Sequence, residues 1–510
     1  MLRALRDTPL LIQLIGIAAL AMLVPMFHAM SLHDYRVARV FLYGCLLFLF
    51  LAVLTGLAAS SNPAGNSGRT QLLNMLATFL LLPLVLALPF YEAVPDTGLF
   101  RSWWEMVSAL TTTGATLYDP ERLAPSLHLW RALVGWLGGF FMLVMAIAVL
   151  APLRLGGFEI FGGGAMLGGG AKGGESPTFF DEDTAEPEER IRHYTFVLLP
   201  AYAGLTVALW LGLVLLGEDS LVALCHAMST LSTSGISPLR SLENSGAGIP
   251  GEMLIFLLLI PALSRRLWPG GGELRATDRL RNDPELVLAA ALVGAVTVLL
   301  FLRHWIAALE IDTALSPLAV LRSVWGSAFT ALSFLTTTGF ASESWDDART
   351  WSGLGTPGLV LAGLAITGGG IATTAGGVRL LRVYALVRHG EREMNRLMHP
   401  ASVSGGGPTA RWLRRQGAYI AWISFMLFAM TILVVMAAAT LTGLDFEAAM
   451  VMTISALTNT GPLATIAGNA PLHWSDLNDG AQFVLALAMV LGRLETLAII
   501  ALFNPELWRS

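Results

Sequence analysis

Apolar residues fall along this chain in blocks of about 20, long enough for a helix to cross a hydrocarbon core roughly 30 Å thick. Two blocks come first, near 9–30 and 37–59, and the polar turn SSNPAGNSGR follows them. One plan then repeats four times. A full-length apolar run (71–91, 194–216, 285–308, 416–441) leads into a shorter segment rich in small residues. That segment ends in a seven-residue phrase, after which come a polar stretch and a second apolar run (129–151, 252–264, 357–387, 481–503).

The phrase is Ser-x-Leu-Thr/Ser-x-Thr/Ser-Gly: SALTTTG at 108–114, STLSTSG at 229–235, SFLTTTG at 333–339 and SALTNTG at 455–461. Its glycines, Gly114, Gly235, Gly339 and Gly461, are separated by 121, 104 and 122 residues, a spacing that signals internal duplication. The short segments before the phrases (FRSWWEMVSAL, SLVALCHAMSTL, LRSVWGSAFTALSFL, FEAAMVMTISAL) read as helices too short to span. Twelve residues of helix rise only about 18 Å. Each would enter the membrane, stop near mid-depth and return as extended chain, which is tolerated there only where it lines water or is buried in protein.

Composition agrees. Of 510 residues, 55% are hydrophobic and 13% charged, about half the charge of a soluble domain of this length. The two cysteines, Cys45 and Cys225, lie in apolar surroundings and form neither a disulfide framework nor a CxxC metal site. The first run, behind Arg3 and Arg6, is long and lacks a small-x-small cleavage site, so it reads as an uncleaved span.

These features predict an all-α polytopic membrane protein. Two leading transmembrane helices precede four helix–pore loop–helix repeats around one central ion pore, with pseudo-fourfold symmetry. The divisions are a leading pair (1–60), repeat one (69–155), a Gly-rich and acidic cytoplasmic linker (156–190), repeat two (191–266) and a basic cytoplasmic loop (267–283). Repeat three (284–388), a second basic loop (389–410) and repeat four (411–510) complete the chain. The arginine-rich stretches 264–283 and 379–415 fall on one side, which the positive-inside rule makes cytoplasmic, together with both termini. Acidic residues recur on the opposite side in every repeat, among them Glu92, Asp119, Glu218, Asp219, Glu310, Asp346, Asp445 and Asp479. Read as a vestibule, they would concentrate cations; read blandly, they are solvated loops. The acidic segment 181–189 falls on the predicted cytoplasmic side, where acid weighs little in orientation.

A dehydrated monovalent cation needs oxygens in place of its water shell, and rings of backbone carbonyls supply them. Aiming carbonyls inward takes the backbone out of its usual regions, which glycine allows. Each short helix would also direct the negative end of its dipole at the centre. A single copy of the phrase would be explained equally well by close packing of small residues between helices. Four copies, each behind a helix too short to span, point to a filter. A polytopic enzyme with a threonine or serine nucleophile is the rival from another class. It would need a base beside the phrase, and His226 has no histidine counterpart in the other three copies.

The phrases, with WWEMVSALTTTGAT, LWRALVGWLGG, LPFY (88–91), GGGIATTAGGVRLLR (368–382) and LGRLETLAIIALFNPELWR (491–509), resemble the TrkH-type potassium-uptake subunits of the Trk/Ktr/HKT superfamily along nearly the whole chain. That resemblance implies potassium uptake across the cytoplasmic membrane and a selectivity filter of Thr112, Thr113, Gly114; Thr233, Ser234, Gly235; Thr337, Thr338, Gly339; and Asn459, Thr460, Gly461. The backbone carbonyls of Thr113, Ser234, Thr338 and Thr460 would hold K⁺. Glycine at the first filter position, where some sodium-preferring relatives carry serine, argues for potassium. The second loop (STSGISP) and the fourth, with Asn459 and Pro462, depart from the family pattern, which leaves a sodium-conducting or poorly selective relative as the alternative. The resemblance also implies a homodimer in membrane lipid and a cytosolic nucleotide-binding regulatory ring of the TrkA/KtrA kind, which the basic stretches could meet. No cofactor and no nucleic acid are expected.

Beneath the filter, TGGGIATTAGG (367–377) would make a poor continuous helix, since each glycine costs about 1 kcal/mol relative to alanine. Tight helix packing is one explanation. A break is the other, and the resemblance makes it an intramembrane gating loop carrying Gly368, Gly369, Gly370, Thr373, Thr374, Gly376 and Gly377. Arg493, within the last apolar run, is costly at that depth and a functional candidate. The resemblance sets it against the loop as an electrostatic barrier; pairing with Glu495 or snorkelling are the alternatives. The glycine-rich segment 156–176 lacks the GxxxxGK(S/T) order of a phosphate loop and reads as a linker. The nine histidines show no metal-ligand spacing, and His226 and His304 are expected to make packing or polar contacts.

Overall fold

The computed structural model describes residues 9–59, 68–153, 155–158, 187–239, 242–269, 280, 283–308, 317–352, 358–399, 415–468 and 470–495. Most of the linker 156–190, most of 270–282, the stretch 400–414 and the tail from 496 lie outside them, as do Glu310 and the acidic run 181–186. Among the described residues every regular element is helical.

Helices α1 (Leu10–Ala21) and α2 (Leu23–Ser31) form one nearly continuous span, and α3 (Tyr35–Ala59) returns beside it. Repeat one contains α4 (Gly68–Ala93), α5 (Leu99–Leu110) and α6 (Pro125–Met145), which continues through a wider turn at Ala146–Leu150. Repeat two contains α7 (Pro187–Leu215), α8 (Ser220–Ser232) and α9 (Gly248–Leu259). Repeat three has α10 (Pro284–Ala308), α11 (Pro317–Leu335), the short α12 (Trp345–Ser352), α13 (Gly358–Thr367) and α14 (Leu380–Met398). Repeat four has α15 (Arg415–Leu441), α16 (Phe446–Leu457), the short α17 (Leu463–Ala467) and α18 (Asp479–Leu494).

Seven helices among the described residues are long and apolar enough to cross a membrane: Leu10–Ser31, Tyr35–Ala59, Thr70–Ala93, Pro125–Leu150, Pro187–Leu215, Pro284–Leu302 and Gly417–Leu441. Their outward faces are greasy. Tyr43, Phe50 and Leu57 lie in one row along α3, each 64% exposed, as expected of a lipid-facing surface.

Two expectations change. The segment before the third phrase is 19 residues long, not about a dozen. The second apolar run of repeat two is also interrupted, that of repeat three breaks where the sequence predicts it, and in repeat four the helix of the described residues ends at Leu494. Pro261 lies in the tight turns that follow α9, the glycine-dense stretch parts α13 from α14, and α18 stops where Glu495 turns to φ 61°. The core fills in around the short helices. Trp104 and Trp130 are fully buried, and Trp104 donates its indole N–H to the Gln482 carbonyl of repeat four at 2.9 Å.

Candidate ion-conduction site

The four phrases end their helices in one way. The residue two before each glycine takes the left-handed conformation: Thr112 (φ 58°), Thr233 (53°), Thr337 (58°) and Asn459 (55°). The next amide, of Thr113, Ser234, Thr338 and Thr460, turns back onto the carbonyl of the phrase's serine at 2.9 Å in every copy. This is the left-handed helix stop that glycine usually makes. A β-branched threonine there is a genuine outlier, held only because its surroundings fix it. The hydroxyls do part of that work. Thr111, Ser232, Thr336 and Thr458 donate to the carbonyl four residues back at 2.7–3.0 Å, and each lies within 3.2 Å of the hydroxyl two residues on.

The loops then meet in cyclic order. A Cβ on Gly114 would lie 1.9 Å from the Ser234 carbonyl oxygen, and one on Gly235 2.1 Å from that of Thr338. On Gly339 it would meet the Pro462 ring at 3.0 Å, and on Gly461 it would lie 2.3 Å from the Ala115 nitrogen. Loop one thus touches two, two touches three, three touches four, and four returns to one. All twelve candidate filter residues are brought together, and their threonine, serine and asparagine members are buried.

Loop four is the odd one. Gly114, Gly235 and Gly339 have positive φ, but Gly461 does not. Its amide donates to the Thr113 carbonyl at 2.6 Å, and the Asn459 side chain donates to the Thr113 hydroxyl at 3.0 Å. The Thr460 carbonyl accepts from the Ser455 hydroxyl and the Leu463 amide. Two of the four carbonyls expected to hold a cation therefore accept hydrogen bonds within the protein.

The chain between α13 and α14 lies directly against the base of these loops. The Gly376 amide donates to the Thr337 hydroxyl at 2.7 Å, and the Thr374 hydroxyl donates to the Leu231 carbonyl at 3.1 Å. Gly368 closes α13, the Gly369 carbonyl accepts from Leu380, and the Gly370 amide reaches the Ala262 carbonyl. Thr373 bonds the Gly370 carbonyl, and Gly377 packs on Gly368. The Arg493 Nη1 donates to the Thr374 carbonyl at 2.6 Å, and the residue is 2% exposed. Its neighbour Glu495 is turned elsewhere, to Arg379 at 3.0 Å and Arg382 at 2.9 Å.

Arg379 and Arg382, which begin the basic stretch 379–415, are not solvated side chains. Both are buried, and Arg379 also donates to the carbonyls of Gly370 and Ala375 in the loop. The Glu285 side chain was missed too; it accepts from the Ile371 amide at 2.9 Å. An arginine pair and a glutamate bordering apolar runs were the available signal. Of the acids expected at the pore mouth, Glu218 accepts from Ser245 and from the amides of Gly246 and Ala247, and Asp219 caps α8. Those two acids brace local structure. His226 makes a polar contact with Ser237, and the His304 side chain lies outside the described residues.

A family described as TrkH, cation transport protein, matches residues 285–510. The chain is 28% identical over 428 residues to the Trk system potassium uptake protein TrkH of Escherichia coli K12, covering 83% of each. It is 30% identical over 445 residues to the Trk system potassium uptake protein TrkI of Halomonas elongata, covering 85% of this chain and 82% of that one. The chain belongs to the TrkH family. The fold agrees: the crystal structure of the potassium transporter TrkH from Vibrio parahaemolyticus matches with a TM-score of 0.75 at 25% identity, over 99% of both chains. As a TrkH-family member the chain is a multi-pass membrane protein and an ion transporter, not an enzyme.

Proposed function

We propose that this TrkH-family chain takes potassium across the cytoplasmic membrane through a filter built by its four phrase loops, with both termini on the cytoplasmic side. The observation that carries the reading is the cyclic approach of Gly114, Gly235, Gly339 and Gly461, each behind a helix that ends in the same left-handed turn. Such a ring sets carbonyl oxygens around a common centre, as a bare alkali ion requires. Similar chains that are named potassium uptake proteins support the choice of ion. The loop 368–377 acts as the gate and Arg493 as its charged latch, supported by the hydrogen bond from Arg493 to Thr374 and by the loop's contacts with the filter base. Pairing of two copies, and a nucleotide-binding ring against the basic loops 267–283 and 389–410, rest on the family resemblance and the arginines there.

Loop four favours a second reading, a less selective or sodium-conducting pore, because the Thr113 carbonyl already accepts the Gly461 amide. Rubidium uptake into proteoliposomes under an inward-negative potential, with sodium as competitor, separates the two. Uptake that resists excess sodium supports potassium selectivity. Equal competition supports the second reading, and no uptake rejects both.

A further inference from the structure

Counting back from each phrase glycine exposes a position the sequence hides. Nine residues before the glycine stand Glu105, His226, Thr330 and Met452. They share no chemistry, so they do not look like a motif, yet the first three reach the same place. The Glu105 Oε2 accepts from the Leu117 amide at 3.0 Å, three residues past Gly114. The His226 Nε2 lies 2.8 Å from the Ser237 hydroxyl, two past Gly235, and that hydroxyl in turn accepts the Leu239 amide. The Thr330 hydroxyl accepts from the Ser342 amide at 3.3 Å, three past Gly339. All three side chains are fully buried.

Two of these braces are themselves locked from an adjoining helix. Arg131 of α6 pairs with Glu105 at 2.6 Å. Glu252 of α9 accepts from the Ser342 hydroxyl at 2.7 Å, the Glu343 amide at 2.6 Å and the Trp325 indole at 2.8 Å. Repeat four supplies the control. After Gly461 the chain coils at once into α17, where Leu463 and Ala464 bond back to Thr460 and Gly461. With that backbone satisfied by its own turns, the position nine before holds apolar Met452. Polar side chains therefore stand where the descending chain is extended, and not where it is helical.

We propose that Glu105, His226 and Thr330 are positioning residues for ion discrimination. Each ties the far limb of a filter loop to the helix that leads into it and so fixes the spacing of the carbonyls between. This inference rests on the filter reading above. A limb left free to shift lets the oxygens close on a smaller ion, so discrimination falls even where total flux survives. The loss of one such bond corresponds to about fivefold.

The test uses the full chain in proteoliposomes and reads the sodium concentration that halves rubidium uptake, a ratio independent of how much protein folds. Thr330→Val keeps the shape and removes the acceptor; Thr330→Ser restores it. Because breaking the buried Glu105–Arg131 pair from one side would strand a charge, the partner variant is the double change Glu105→Leu with Arg131→Met. The inference expects about a fivefold fall in the halving concentration for Thr330→Val or for the double variant, with Thr330→Ser at the unmodified value. Both Thr330→Val and the double variant within twofold of an unmodified protein that does discriminate would overturn it. An unmodified protein that fails to discriminate would instead sink the filter reading itself.

Discussion

Replacing Gly114 by alanine tests the ring most directly. The new Cβ would lie 1.9 Å from the Ser234 carbonyl oxygen, whereas ordinary contact begins at 3.4 Å, so that oxygen has to retreat by about 1.5 Å. The neighbour is backbone and cannot swing aside. The φ of +72° adds about 1–2 kcal/mol for any residue with a side chain. An oxygen moved that far no longer serves an ion at the centre. One polar contact to a charge is worth about 1.5–3 kcal/mol, which translates to about a 10- to 150-fold loss of preference for rubidium over sodium. The assay is competitive uptake in proteoliposomes, with Gly204→Ala as control. Gly204 is exposed on α7, and a Cβ there meets nothing within 4 Å. If Gly114→Ala discriminates as well as the control does, the carbonyls beside the phrase glycines do not select the ion.

Three further outcomes are expected. Arg493→Ala removes a buried charge and the 2.6 Å bond to Thr374; a cation passing about 6 Å from that guanidinium would gain about 2–3 kcal/mol, so uptake should rise about 30- to 150-fold with the ion preference unchanged, while Arg493→Lys stays near the original rate. Unchanged uptake by a well-folded Arg493→Ala protein would remove the residue from the gate. Thr374→Val loses only the bond to the Leu231 carbonyl and should raise uptake about fivefold at most, read in the same vesicles. Glu495→Gln removes the carboxylate charge that faces Arg379 and Arg382 in the interior and should destabilise the fold by about 3–5 kcal/mol, seen as an earlier loss of monodispersity on heating in detergent.

The long spans, three of the four short helices and the meeting of the loops were legible because each leaves a regular trace: apolar length for the spans, and for the loops a serine–threonine–glycine phrase recurring at nearly constant distance. Helix interruption at 368–377 was legible as well, since Gly368, Gly369 and Gly370 in a row oppose a continuous helix. The ion-pair wiring was not. Glu495 meets Arg379 across 116 residues, and nothing local to either position announces it. Nor was the left-handed turn at Thr112, Thr233 and Thr337 legible. Intrinsic preference argues against a β-branched residue there, and only the closed ring of hydroxyls and carbonyls around it holds the conformation. A polar contact was legible at His226, but the shared role of Glu105, His226 and Thr330 was not, because three unlike residues perform one task. Their positions relative to the glycines were available all along.

The hydrogen bond from the Asn459 side chain to Thr113, one of the two that join loop four to loop one, bridges 346 residues of chain. During synthesis the earlier repeats are in the membrane while the last is still on the ribosome, and contacts so distant in sequence form late. The Gly461 amide and Asn459 side chain therefore act as the clasp of a necklace strung one bead at a time. Until they arrive, loop one waits with its Thr113 carbonyl unanswered inside a half-assembled bundle. A ring still open at that point exposes, on loop one, the surface that repeat four later occupies.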